Sequence, residues 1–294
     1  MKTITGVSIF AMSKDNPPVL TITSGETLQF ETLDCFSNQV TDEAAGLDAL
    51  DWERINPATG PVAVADAEPG DALKITILDI ELGPVGTMAA IPENGVLGAF
   101  VTEGSVKRLP VIDGLVHFSD TIALPADPMI GVIGVAPAGE AIPCGEPGSH
   151  GGNMDNTTIR KGATLYLPVF APGALLAMGD VHACMGDGEI MVTGVEIPAK
   201  VTVRVELLKH ANLEHPLLEN AHSCYAIASH EDLEQAVLAA TLTMNRIVMN
   251  KLNLPFNEAG MLLSAAGNLE FCQVVDPKRT VRFGMPKTLL PQLF

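Results

Sequence analysis

The stretch from Cys144 to Glu189, CGEPGSHGGNMDNTTIRKGATLYLPVFAPGALLAMGDVHACMGDGE, decides how the chain is read. Two apolar strand-like runs, Ala163–Phe170 and Ala174–Met178, are separated by a Pro172–Gly173 turn. Around them stand His150, Asn153, Asp155, Asp180, His182, Asp187 and Glu189, set among glycines that let a backbone turn sharply or approach a ligand closely. The stretch therefore combines strand scaffold with polar side chains able to bind metal or move protons.

The same strand-and-turn rhythm extends outward. Upstream, Val19–Thr23 and Glu26–Asp34 flank a Ser24–Gly25 turn, and Leu73–Leu82 is bounded by the Ala67–Asp71 turn and by Gly83–Pro84. Leu109–Phe118 reads as a hairpin around Asp113–Gly114, the pair favoured in a two-residue type I′ turn. Met129–Pro137 reads as a buried strand, and His117 as a half-exposed strand histidine. Downstream, Glu189–Val195 and Ala199–Leu208 continue the series. Turn signals every ~8–12 residues predict an all-β sandwich or barrel. Residues 41–58 are more acidic and carry the pattern of helical turns ending at Pro57.

After about residue 210 the pattern changes. His230–Leu252 places Leu233, Val237, Leu238, Leu242 and Ile247 at helical spacing, with Ser229 and Asp232 forming a capping-box-like start. The following segment, GMLLSAAGNLEFCQVVD, reads as helix or strand. The expected organisation is a mainly β sandwich over residues 1–208 and a helix-containing α+β part over 209–294.

Composition limits the function classes. The chain has 294 residues, 47% of them hydrophobic and 18% charged, which suits a globular protein with a sizeable core. A net charge of −18 would repel a phosphate backbone or an anionic lipid surface, so neither nucleic acid nor a membrane is expected as partner. No run of ~18 apolar residues and no secretory h-region is present. Five cysteines without a CxxC pair read as reduced thiols, which points to the cytoplasm.

The chemistry concentrates in two motifs. In GDVHACMGDGE, Asp180 and His182 share a strand face because side chains alternate with period two, and the turn over Met185–Gly188 returns Glu189 beside them. Two carboxylates and an imidazole form a donor set for a divalent cation, naturally zinc. A tight hairpin with solvated acids and a hydrogen-bonded core histidine is the competing reading, and both stay open. In PGSHGGNMD, His150 and Asp155 can supply ligands, while Asn153 and glycine N–H groups can stabilise an oxyanion; the loop can equally be a turn. The phosphate-loop pattern and GxSxG are both missing, and neither Cys144 nor Cys184 sits in a thiol-hydrolase signature.

With these motifs, together with TLDCFSNQV, NPATGPVAVADAEPGDALKITILDIEL, VHFSD and QVVDPKRTVRFGMPK, the chain resembles the acetamidase/formamidase family over nearly its whole length, in its shorter, acetamidase-like branch. The resemblance implies a mainly β, jelly-roll-like sandwich with a smaller C-terminal α/β part. It also implies a homodimer or higher homo-oligomer, a bound divalent metal (zinc, or Ca2+ as the alternative ion), and hydrolysis of short aliphatic amides such as acetamide and formamide. On it, Asp34, His182 and Glu189 are expected to hold one zinc, with His150 or Asp155 as a further ligand or orienting group. Glu140, or a carboxylate not holding the metal, would carry the proton to the leaving ammonia, and Asn153 would hold the oxyanion. A β-sandwich that binds a metal or small molecule without catalysis is the alternative.

Overall fold

Alternation builds the large sheet. In the Ala199–Leu208 strand, Val201, Val203 and Val205 are buried while Lys200 and Arg204 are exposed, so one face meets a core and the other meets solvent. This strand pairs antiparallel with Glu26–Thr32 on one side and Ala72–Leu82 on the other. The computed structural model describes residues 1–48 and 50–294. Among these, the sheet has nine strands, and beyond Ala72–Leu82 it continues through Thr164–Pro168, Leu217–Glu219, Ser223–His230 and Arg279–Pro286 to the edge strand Asn268–Gln273.

A second, six-stranded sheet faces it. Its three central strands, Met129–Gly134, Leu176–His182 and Ala58–Val64, are buried along their whole lengths, which accounts for their mostly apolar and small-residue sequences; Asp180 and His182 are the charged or titratable exceptions. Leu28, Phe30, Ile75 and Val203 of the large sheet share one core with Ile130, Met178, Val181 and Val62 of the second. A four-stranded sheet, Val85–Ala90, Ser105–Ile112, Leu115–His117 and Ala123–Pro125, packs beside them. The protein is mainly β, as the turn spacing predicts.

The hairpin at Asp113–Gly114 forms as expected: both residues take positive φ, 50° and 76°, and Ile112 pairs with Leu115. Other boundaries move for identifiable reasons. The second strand of the opening stretch begins at Leu176, because Ala174 and Leu175 lie in the left-handed region and extend the Pro-Gly turn. Glu189–Val195 is no strand. Positive φ at Glu189 (49°) and Val192 (66°) folds it into a loop, closed by the Val192 N–H donating to the Glu189 carbonyl at 2.9 Å. Residues 41–58 contain two short 3-10 turns, Glu43–Ala45 and Trp52–Arg54, capped by Asp42 and Asp51; Ala49 lies outside the described residues.

At the C-terminal end, helix α1 spans Leu233–Leu252 and starts at Asp232, whose carboxylate accepts the Glu234 N–H at 2.8 Å. Ser229 belongs to the preceding strand and caps nothing on the helix. The buried face of α1 is Ala236, Ala240, Met244 and Val248, whereas Leu238 is exposed: small side chains let the helix lie close on Ser223–His230 and Arg279–Pro286. The next segment divides into helix α2, Phe256–Ala266, and the edge strand. Strands on both sides of residue 208 belong to the large sheet.

All five cysteines are free, and four of them are buried. No helix among the described residues is long and apolar enough to cross a membrane.

Candidate active site

Leu176–His182 delivers Asp180 and His182 to the same place, as its alternation requires. His182 Nε2 lies 3.5 Å from Asp180 Oδ1, 3.1 Å from Glu196 Oε2 and 4.0 Å from Asp155 Oδ1, and all four side chains are buried. Two groups of donor atoms result. Asp155, His182 and Glu189 offer atoms within 4.8 Å of one another, and so do Cys35, Asp180 and Glu196. The backbone is bent to achieve this: Asp155, Asp180 and Glu189 have φ of 42°, 51° and 49°, left-handed values that cost strain in non-glycine residues and gather at functional sites. Two glycines supply the room. A Cβ on Gly131 would stand 2.5 Å from Asp155 Oδ1 and 2.7 Å from Asp180 Oδ2, and one on Gly194 would stand 2.5 Å from His182 Nδ1.

Cys35, Asp180 and Glu196 line a cavity of about 380 Å³, and Glu189 carries the other group to its wall, with Asp155 and His182 behind it. Asp180, Glu189, Glu196, Asp276 and Asn153 form its polar end; Phe36, Trp52 and Ile91 are among its apolar lining. Asn153 Nδ2 donates to Asp276 Oδ2 at 3.0 Å, tying the Gly151–Asn153 strand to the segment before Arg279–Pro286. One buried cation holds the loops in register. Arg282 forks onto Asp187 (Nη2 to Oδ2, 2.6 Å; Nη1 to Oδ1, 3.1 Å), reaches Glu270 at 2.6 Å, and donates to Asn156 Oδ1 at 3.0 Å. It thus joins the neighbour of Asp155 to the loop that carries Glu189.

The electrostatics of the cluster are unbalanced. Burial pushes the carboxyls of Asp155, Glu189 and Asp276 well above the usual range, and neighbouring acids push them further. Glu196 rises to about 8, chiefly through burial. Burial works against a charged His182, but Glu196 and Asp180 outweigh it and raise its pKa. Asp180 goes down despite burial, because His182 sits beside it. Both oxygens of Asp155, both nitrogens of His182, Asp180 Oδ1 and Glu196 Oε2 are buried without a hydrogen bond. Buried acids in this number must either hold protons or gain a positive charge beyond that of His182. A divalent cation would supply both a charge and the missing partners, and oxygen and imidazole donors suit one.

The residues singled out in the sequence separate into three sets. His182, Glu189 and Asp155 come together, and Asn153 lines the cavity beside them. Asp34 and His150 are buried but belong to neither donor group. Asp34 Oδ1 accepts the Asn38 N–H at 2.6 Å, which turns the carboxylate back on its own loop; burial raises its pKa to about 6. His150 is held neutral by burial, its pKa lowered to about 4, with Lys278 adding to the effect. Glu140 is exposed on the loop after Met129–Gly134 and is not among the cavity-lining side chains. Three residues join the site that the motifs did not single out: Cys35, Glu196 and Asp276. Glu196 had a signal, an acid between Val195 and Ile197 in an otherwise apolar run. Asp276 had one too, an Asp-Pro step at a strand end.

Fold and site together define a mainly β protein with a buried carboxylate–imidazole cluster beside a small-molecule cavity, a donor set that could hold a cation. The chain belongs to the acetamidase/formamidase family, whose model matches residues 12–145 and 138–253. It is 45% identical to an acetamidase of Bacillus halodurans, with 99% of each chain covered and a TM-score of 0.96. An acetamidase of Yersinia enterocolitica is 34% identical, with 97% of this chain and 90% of that chain covered and a TM-score of 0.92. The formamidase of Methylophilus methylotrophus is 25% identical over 261 residues, 66% of this chain and 62% of that protein. The chain thus spans less than two thirds of the length of the curated relatives it matches.

Proposed function

We propose that this protein is a metal-dependent amidohydrolase that converts a primary carboxamide to the carboxylate and ammonia. The observation that carries the reading is the buried convergence of Asp155, His182 and Glu189 within 4.8 Å, with Glu189 reaching the wall of a cavity of ligand size. Family membership supports it, and the acetamidases and formamidase above give short aliphatic amides as the starting substrates.

Asp155, His182 and Glu189 would hold the cation, and one imidazole with two carboxylates favours zinc. Such an ion lowers the pKa of water and polarises a carbonyl. The chain's own groups do the rest. Glu196 and Asp180 approach His182 at Nε2, the same nitrogen that faces Asp155, so they crowd the ion's side of the imidazole and would balance its charge there. Asn153 stands at the cavity wall, where its amide can donate to the developing oxyanion. Water adds to the acyl carbon, the C–N bond breaks, and nitrogen leaves as ammonia. Asp276, half-buried at the cavity and outside the ligand set, is the acid placed to pass a proton to that nitrogen, the role the exposed Glu140 is poorly sited to play.

The test is ammonia release from acetamide and formamide by the purified protein. Turnover that a chelator abolishes and added zinc restores is expected. Ammonia release that is indifferent to exhaustive chelation would remove the metal from the reading.

A further inference from the structure

The cavity is much larger than the amides that the relatives' names suggest. At roughly 30 Å³ for each water-sized group, the four non-hydrogen atoms of acetamide occupy about 120 Å³. That is about a third of the 380 Å³ available. An enzyme shaped for acetamide alone would leave the remainder as water-filled space contributing little to binding.

The extra space has a definite chemistry. Phe10, Phe36, Trp52, Ile55, Ile91 and Val192 line it, from five separate segments of the chain. Phe36 is 3% exposed and Trp52 45% exposed, so one is a fixed wall and the other a rim that a ligand can cover. Aromatic faces of this kind bind flat apolar groups by stacking as well as by area. The charge of the lining is one-sided: six of its residues are acids and, among the described residues, none is lysine or arginine. A negatively charged substituent would be repelled there even after a cation had offset part of that charge.

We propose that the preferred substrate is a neutral primary amide whose acyl side chain is a bulky apolar or aromatic group, seated between Trp52 and Phe36 with its carboxamide at the acidic end. This rests on the amide-hydrolase reading of the same site.

Trp52 is the only tryptophan in the chain, so its fluorescence reports occupancy of the rim independently of turnover. The experiment titrates the metal-loaded protein with acetamide, phenylacetamide and the carboxylate-bearing succinamate, and measures kcat/KM for each. The expected result is saturable quenching by phenylacetamide, none by succinamate, and kcat/KM at least tenfold higher for phenylacetamide than for acetamide. Trp52→Ala should narrow that ratio at least fivefold, mainly through KM for phenylacetamide. A preference for acetamide, or a Trp52→Ala variant that leaves the ratio unchanged, would overturn the inference. Saturable quenching by phenylacetamide without hydrolysis of any amide would overturn the hydrolase reading while upholding the ligand class. Neither quenching nor hydrolysis would overturn both.

Discussion

Replacing Arg282 by methionine keeps much of the volume and removes the charge that ties the site's loops together. The guanidinium side chain is 5% exposed, and its partners Asp187 and Glu270 are 40% and 33% exposed. Removing one member of a fully buried pair costs ~3–5 kcal/mol. Here the two abandoned carboxylates can rehydrate through their exposed sides, so the lower end applies, about 3 kcal/mol. Asn156 Oδ1 also loses a donor at 3.0 Å. In a chain of this length, 3 kcal/mol corresponds to a fall in melting temperature of roughly 5–8 °C. The functional consequence is separate. Asp187 is two residues from Glu189 and Asn156 adjoins Asp155, so the variant should bind zinc at least tenfold more weakly at temperatures where it remains folded. Thermal unfolding followed by circular dichroism, together with zinc titration against a chromogenic chelator, reads both effects. Arg282→Lys restores charge without the fork and should recover part of the stability but less of the affinity. A methionine variant that melts within 1 °C of the parent and binds zinc equally well would refute the argument.

Two further predictions concern single positions. Gly131→Ala should reduce kcat/KM at least tenfold with a stability loss of ~1–3 kcal/mol, because its Cβ would stand 2.5 Å from Asp155 Oδ1; steady-state kinetics beside a denaturant titration check this. Asp71 is buried and accepts the Glu68 and His210 N–H groups at 2.9 Å and Lys209 Nζ at 2.7 Å. Burial raises its pKa, but these donors outweigh it and hold the carboxyl low. Its stabilising contribution is therefore complete above the unfolded carboxyl value of ~3.9 and is lost as pH falls through the lower folded value. Asp71→Asn should cost about 2 kcal/mol at pH 7, less the screening of the half-exposed Lys209, with the gap closing towards pH 2 in urea titrations.

What the sequence reveals and what it hides follow from the range of the interactions involved. Alternation is local, so Asp180 and His182 could be placed on one strand face without any tertiary information. The Asp113–Gly114 turn is local as well, since only residues tolerant of positive φ fill a type I′ loop. The existence of α1 was legible from its spacing, but its buried face was not: Ala236 and Ala240 pack inward because two strands approach closely, a tertiary fact that hydrophobicity alone ranks below Leu238. The loop at Glu189 hides for a related reason. An acid and a valine at positive φ contradict their own propensities, and only the convergence around His182 explains the strain. Cys35, Glu196 and Asp276 reach the site from positions up to 241 residues apart in the chain (276 − 35), and no spacing rule links such separations. Asp34, which the family resemblance offered as a ligand, is buried close enough to Asp180 to feel its charge, while its carboxylate also accepts the Asn38 N–H of its own turn.

The most direct measurement is the metal content of untagged protein, determined by elemental analysis for the parent and for His182→Ala. The pocket described here requires at least one equivalent of zinc or another divalent ion per chain in the parent. Removing the imidazole between Asp155, Asp180 and Glu196 should abolish that content in a variant whose circular dichroism spectrum is unchanged. A parent protein that hydrolyses amides while carrying no divalent metal, or a His182→Ala variant that retains the full complement, would contradict the account.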